Sequence, residues 1–454
     1  MTDRAPLVVL ATRIYAPEAA AATFRLGALV RSLSDRDRVR VLTTTPPRGL
    51  RQPFATPGGE EGNHSRRSVG DGEGSVGLGL GLGGGDGSVA VGPNDGAESG
   101  GRRRAAPVGL TTMRPAPEVS RWPVLRDRTG YVRGYLPYLS FDLPLALRLL
   151  TGPRPDVAVV EPPPTTGAVT RVALGLRSML GSGARIPYVY YAADIWSDAT
   201  ASMGAPAPVV QVMRLLETFA LRGARDVIAV SEGVAERVRA LAGPAAPVTV
   251  VPNGIDTDVF TPDGEVHADA PETAYLVYAG TASEWQGAEV FAEAMREVVR
   301  AVPGARLVFL GQGSSWPTLE RIAAELPPGT IELRPLVPPE EAAAWLRGAA
   351  AALVSVRPGV GYDFAYPTKV VAALACGTQV VFAGPGPAAR DVREEGLGAA
   401  VEHEVQAVAA AMTDALLSGP DAAEQDRRTR WVHEHRSLAA TGEAAARVVL
   451  QGRP

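Results

Sequence analysis

The sequence predicts an α/β protein made of two doubly wound, Rossmann-like parallel-sheet domains that face a central cleft. Three features lead there. Short apolar strands mostly lack polar alternation, as in sheets covered on both faces. Ala-, Leu- and Arg-rich helical segments separate one strand from the next. The strands also fall into two series, divided by the polar, Pro-containing stretch from Pro252 to Thr273.

The first series opens with LVVLA at residues 7–11, between Arg4 and Arg13. It is shorter than a signal core of about 7–15 residues and far below the roughly 20 needed to span a membrane, so it reads as a buried strand. RVRVLTT at 38–44, DVAVVE at 156–161, YVYYA at 188–192, DVIAV at 226–230 and VTVV at 248–251 follow. The second series is YLVYAG at 275–280, RLVFLG at 306–311, IELRPL at 331–336, AALVSV at 351–356 and QVVFAG at 379–384. The first domain is therefore expected over residues 1–250 and the second over 251–424, with the helical segment 425–454 returning to the first. No stretch reaches spanning length without charges, so a cytoplasmic location is expected, with peripheral contact at the inner face of the cell membrane left open.

Between Gly58 and Gly101 lie 17 of the 50 glycines. That composition cannot offset its ordering entropy by burial, so a flexible insertion over about 56–106 is expected. No strand leads directly into it and no Gly-Lys-Ser/Thr closes it, which argues against a phosphate-cradling loop.

The chain has 454 residues, 46% hydrophobic and 21% charged, enough for two or three globular domains. Forty-five basic and 49 acidic residues leave a net charge of −4, which disfavours nucleic acid as a partner. The single cysteine, Cys376, excludes an intrachain disulfide and multi-cysteine metal sites. Forty-four of the basic residues are arginine and one, Lys369, is lysine; asparagine occurs only at 63, 94 and 253. This resembles a GC-rich coding bias, under which the surviving Lys and Asn mark places where no substitute serves.

Open parallel sheets bind ligands beyond the carboxyl ends of their strands. After the strand at 351–356 comes Ala365-Tyr-Pro-Thr-Lys-Val-Val-Ala-Ala-Leu-Ala-Cys-Gly377, with helix grammar: Pro367 as a first helical residue, a small apolar interior, and Gly377 as the stop. The free N–H groups near Thr368 and Lys369, with the lysine ammonium, make an anion site of the size of a diphosphate.

The motifs YLVYAGTASEWQG at 275–287, LVFLG at 307–311, RPLV at 334–337, VSVR at 354–357 and YPTKVVAALACGTQVV at 366–381 resemble the donor half of family 4 retaining glycosyltransferases, nearest to a bacterial subgroup with Pro-Ser/Thr-Lys at this helix. RIYAPEAAAATFRLGALVRSL at 13–33, EPPPTTGAV at 161–169, YYAADIWSDA at 190–199, VIAVSEGVAERV at 227–238 and VPNGID at 251–256 have counterparts in the same order. The resemblance implies the GT-B fold, a UDP-, GDP- or dTDP-sugar donor held by the second domain, and an acceptor hydroxyl held by the first. That acceptor would belong to a lipid-linked saccharide or a small natural product. Neither cofactor nor metal is implied.

Carried over by position, Pro367, Thr368 and Lys369 bind the diphosphate, Gly280 and Thr281 let the backbone approach it, and Leu336 and Val337 lie near the base. Asp194 and Asn253 face the cleft, and Lys369 and Asp194 are the catalytic candidates. Two departures stand out. The glutamates that relatives place around this helix, one contacting the donor ribose, read Phe364 and Ala372, with Asp363 as a substitute. The Arg and Lys that many relatives carry after the first strand of the donor domain read Thr281 and Gln286, leaving Arg25 and Arg357 as helpers.

Retaining transfer needs the leaving diphosphate stabilised and does not require a strong protein base. The five histidines fit this, none lying at an early strand end. His433 and His435 sit on different helical faces, unsuited to a shared metal. The rival readings are a nucleotide-sugar epimerase or non-catalytic GT-B relative, a scaffold using the insertion, and an NAD-dependent oxidoreductase using Gly384-Pro-Gly386-Pro-Ala-Ala389. Trp196 and Trp285 are candidates for sugar stacking or core packing. The stretch Arg121 to Tyr138 offers arginines and aromatics for a lipid-linked acceptor or an amphipathic core segment.

Overall fold

The computed structural model describes residues 5–18, 21–46, 116–126, 132, 134–181, 184–202 and 205–451. The glycine-rich insertion expected over 56–106 lies outside the described residues.

The first domain runs β1 (Leu7–Ala11), α1 (Ala21–Ser34), β2 (Arg38–Thr44), β3 (Glu118–Trp122), α2 (Tyr135–Thr151), β4 (Val157–Val160), α3 (Pro164–Leu180), β5 (Tyr188–Ala192), α4 (Trp196–Ser202), α5 (Ala207–Gly223), β6 (Asp226–Ala229), α6 (Glu232–Ala242) and β7 (Val248–Val250). The second runs β8 (Tyr275–Ala279), α7 (Glu289–Ala301), β9 (Arg306–Leu310), α8 (Trp316–Ala324), β10 (Ile331–Arg334), α9 (Pro339–Gly348), β11 (Ala351–Ser355), α10 (Thr368–Ala375), β12 (Val380–Ala383), α11 (Pro387–Glu394), β13 (Gly398–Val401) and α12 (Val405–Leu417), followed by α13 (Ala422–His435) and α14 (Leu438–Leu450).

Both sheets are wholly parallel, in the orders β3-β2-β1-β4-β5-β6-β7 and β10-β9-β8-β11-β12-β13. Each reverses direction once, between β1 and β4 in the first and between β8 and β11 in the second. Those switch points open a crevice at the carboxyl ends of the strands. Unbroken apolar strands are possible because helices cover both faces. In the first sheet α2, α3, α5 and α6 pack on one side, and α1 with α14 on the other. In the second, α7, α8 and α12 lie opposite α9, α10, α11 and α13.

Two strands escape the sequence reading. β3 is polar at its exposed edge, and β13 is the four-residue GAAV. The C-terminal stretch, expected as one helix, is two: it breaks at Arg436, where Ser437 caps α14 by accepting from the N–H of Ala440 at 3.1 Å. α13 packs on α10 and α14 on α1.

The two passages of chain between the sheets are bonded to each other. The Ile255 N–H donates to the Arg436 carbonyl at 2.8 Å and the Leu438 N–H to the Ile255 carbonyl at 2.9 Å. Gly254 lies so near the start of α14 that a Cβ would come within 2.8 Å of the Leu438 nitrogen. Both crossings therefore form one strap.

α14 sits equally close to α1, where a Cβ on Gly442 would meet the Ala28 backbone at 2.7 Å. Helix propensity alone would make Gly442→Ala stabilising by up to about 1 kcal/mol. Because backbone must move, we expect a net loss of about 1–3 kcal/mol in urea unfolding; a gain would contradict this packing.

Candidate functional site

The second switch point gathers the clearest chemistry. β8 ends in a turn with Gly280 at φ +114°, and Gly311, the residue after β9, lies beside it. A Cβ on Gly311 would lie 2.1 Å from the Gly280 carbonyl oxygen, and one on Gly313 would lie 2.2 Å from that of Ala282. Glycine is required at both because the two loops are zipped together by backbone bonds, Gly280 N–H to Leu310 O at 2.7 Å and Ala282 N–H to Gln312 O at 2.8 Å. Gln286 is buried and accepts from the Ser283 N–H at 2.8 Å, so it braces the β8–α7 loop.

α10 enters from the other side of the switch point. It begins at Thr368, with Pro367 as the residue before it and not the first helical one. Pro367 offers no side-chain acceptor, so the first N–H groups lack a cap and their positive end faces the crevice. The far end is locked: Gly377, at φ +79°, donates to Leu374 O at 3.0 Å and Thr378 to Ala373 O at 3.0 Å, a Schellman closure. Cys376 is buried there, its thiol pushed up to about 12 by desolvation, which leaves it a packing residue.

Lys369 is half-buried and reaches back to the β8 loop. Its Nζ donates to the Tyr278 hydroxyl at 2.8 Å and to the Thr281 carbonyl at 2.7 Å, and lies 4.0 Å from the Tyr278 ring centre. The Tyr278 hydroxyl in turn donates to Thr281 O at 2.9 Å. All of these partners are neutral. With no carboxylate to offset desolvation, the Lys369 pKa falls to about 7, while burial pushes the Tyr278 phenol upward. Sequence reasoning gave Tyr278 no role; the available signal was a tyrosine two residues before the loop glycine on a buried strand.

Gly280, Thr281, Pro367, Thr368 and Lys369 thus converge. Leu336 and Val337 follow β10 and are half-buried, and Val337 packs against the core that holds α10. Arg357, expected as a helper for the phosphates, is paired with Glu289 at 3.2 Å. Its neighbour His403 contacts the Gly287 carbonyl at 3.0 Å. Asp363 is exposed but accepts from the Gly359 N–H at 3.1 Å, so it also closes a turn. Ala372 is buried on α10, and the exposed Phe364 reaches Gly233 of the first domain, where a Cβ would come within 2.7 Å of it. Trp285 stacks on Tyr362 with ring centres 4.9 Å apart.

The glycines of the oxidoreductase reading serve packing. A Cβ on Gly384 would lie 2.0 Å from the Val356 carbonyl oxygen and one on Gly386 would lie 2.3 Å from that of Asp363, so protein backbone fills the space a cofactor phosphate would need.

The first switch point is also charged. Arg25, expected as a phosphate helper, is buried and bonded to Glu161 at 3.4 Å and to Asn253 of the strap at 3.3 Å. It is occupied inside the first domain. Glu161, at the end of β4, also accepts from the Thr12 hydroxyl, and burial raises its pKa against the pull of Arg25. Arg13 lies 4.5 Å from the Tyr138 ring centre and 5.4 Å from that of Trp196. The sequence reading quoted Glu161 and Arg13 within motifs without assigning them roles. Asp194 is exposed just beyond β5. Buried Glu217 of α5 accepts from the N–H groups of Trp196, two residues after Asp194, and Ser197 at 2.8 and 3.0 Å and fixes the start of α4.

Family models match both halves of the chain: Glycosyltransferase Family 4 over residues 99–259 and Glycosyl transferases group 1 over residues 273–418. Solved structures show the same architecture along the whole chain. HepE of Anabaena in complex with UDP aligns at TM-score 0.57 and 13% identity, covering 98% of this chain and 99% of that one. Sucrose-phosphate synthase of Thermosynechococcus elongatus aligns at TM-score 0.60 and 13% identity, covering 98% of each. The fold is GT-B.

In sequence, the chain is 28% identical over 222 residues to the D-inositol 3-phosphate glycosyltransferase of Segniliparus rotundus, covering 45% of this chain and 48% of the relative. It is 30% identical over 208 residues to a GDP-mannose-dependent α-(1-6)-phosphatidylinositol monomannoside mannosyltransferase of Mycolicibacterium smegmatis, covering 43% and 54%. The chain thus spans about half the length of these curated relatives. Among the described residues of this GT-B chain, no helix is long and apolar enough to cross a membrane.

The depressed Lys369 pKa fixes the sign of a stability effect. A free lysine titrates near 10.4, so between pH 7 and that value the unfolded chain binds the extra proton and stability rises with pH; below pH 7 the ammonium carries its full burial cost. Lys369→Met should therefore stabilise the empty protein in urea unfolding at pH 6, with the gain shrinking towards pH 10. A loss at pH 6 would contradict the burial.

Proposed function

We propose that the chain is a retaining glycosyltransferase that moves a sugar from a UDP-, GDP- or dTDP-sugar to an acceptor hydroxyl. The observation that carries this reading is Lys369, an ammonium with only neutral partners at an uncapped helix start, beside a loop that glycine brings into close backbone approach. A diphosphate supplies the missing negative charge.

In this reading the donor diphosphate takes the N–H groups of Thr368 and Lys369, and Lys369 neutralises the charge that develops on the leaving group as the glycosidic bond breaks. Gly280 and Thr281 line its approach. Leu336 and Val337 flank the base, and Arg357 joins only by sharing Glu289. Asp194 contacts the sugar or the acceptor from the first domain, while Asn253 sets the cleft through Arg25. The relatives' printed names support glycosyl transfer, and one names a phosphatidylinositol-based acceptor, which favours a lipid-linked acceptor.

Ala372 favours one alternative, a GT-B relative that binds donor without transferring, since no carboxylate stands there for the ribose. Release of free nucleoside diphosphate only when an acceptor is present separates the two.

Calorimetry with UDP, GDP and dTDP should find binding of at least one. Loss of charged hydrogen bonds worth about 2–3 kcal/mol should weaken that nucleotide roughly 30- to 150-fold in Lys369→Ala. An unchanged Kd in the variant would refute the placement.

A further inference from the structure

Among the described residues, eleven of the eighteen exposed large hydrophobic side chains lie on three helices, four on α2, four on α3 and three on α5. They recur at helical spacing. On α2, Leu136, Leu143 and Leu147 form a stripe away from Phe141 and Leu145, which pack on the sheet. α3 packs against both α2 and α5, so the three stripes adjoin as one face. Soluble monomers rarely gather this much apolar surface in one place.

The exposed charges on these three helices have one sign. The three helices carry Arg148, Arg171, Arg177, Arg214 and Arg222, while their only carboxylates, Asp142 and Glu217, are each 1% exposed. Among the described residues none of these guanidinium groups pairs with a carboxylate; Arg177, for example, donates to the Leu149 and Gly152 carbonyls at 2.5 Å. Two copies meeting through this face would oppose like charges. A surface that is apolar within and anionic at its boundary fits instead. The face also borders the cleft, because Tyr138 in the first turn of α2 lies 5.8 Å from Trp196, centre to centre, beyond β5.

We propose that the α2–α3–α5 face docks on an anionic phospholipid bilayer, with the leucines entering the headgroup boundary and the exposed Arg214 and Arg222 meeting lipid phosphates. The proposal rests on reading the first domain as the acceptor half, and it specifies how a lipid-linked acceptor reaches that half.

The full chain is floated with vesicles of phosphatidylcholine, with or without phosphatidylglycerol, and nucleotide binding is measured separately. We expect flotation only with the anionic vesicles, reversal by salt, and at least a tenfold loss in Leu143→Glu/Leu147→Glu. Arg214→Gln/Arg222→Gln should weaken flotation, with nucleotide affinity kept in both variants. Four results would overturn the proposal: no flotation of the wild-type chain, equal flotation with both vesicle types, undiminished flotation of the leucine variant, or a dimer in sedimentation that the leucine variant dissolves. Failure to bind any nucleotide would count against the donor site and leave the docking face standing.

Discussion

The arrangement depends on a single lysine whose charge the folded chain leaves uncompensated. The Lys369 ammonium rests between a phenol oxygen and a carbonyl, and desolvation without a carboxylate drops its pKa to about 7. Other devices of the second domain hold that lysine in place. The Schellman closure anchors the far end of α10, and Gly311 and Gly313 let the β9 loop press against the β8 loop. Gln286 stiffens that loop from inside. Such pre-organisation keeps an otherwise unfavourable charge aimed at the crevice, where an anion turns its cost into binding.

The first domain treats its charges in the opposite way. At its switch point Arg25, Glu161 and Thr12 satisfy one another below the surface, and Arg25 extends to Asn253 on the strap between the sheets. That cluster ties the first sheet to the strap, while the aromatic Trp196 and the exposed Asp194 lie beyond the end of β5. The strap itself joins Ile255 to Arg436 and Leu438, so the two chain crossings resist independent movement.

Much of this was legible in the sequence for physical reasons. Buried parallel strands are apolar without alternation, and helices that stop on glycine announce themselves, so most strands, both sheets and α10 could be read directly. Lys369 stood out because a chain biased so strongly towards arginine kept one lysine. What escaped depends on three-dimensional neighbours. β3 is an edge strand whose outer residues are polar, and nothing in EVSRW marks it as paired with β2. The partnership of Tyr278 with Lys369 spans 91 residues, and that of Arg25 with Glu161 spans 136. A sequence reveals cations, but not which of them already hold a carboxylate; for that reason Arg25 and Arg357 looked unpaired when each holds a glutamate.

The central claim is that desolvation destabilises the Lys369 ammonium when the site is empty, so that above neutral pH it gives up its proton, and that an arriving diphosphate restores the full charge. Proton uptake on binding tests this most directly. At pH 8 the nucleotide's own phosphates are fully ionised, so titrating it in two buffers of different ionisation enthalpy counts protons taken up by the protein. The account predicts uptake of close to one proton in the wild-type chain and none in Lys369→Met wherever residual binding can be measured. Tight binding by the wild-type chain without proton uptake would contradict it.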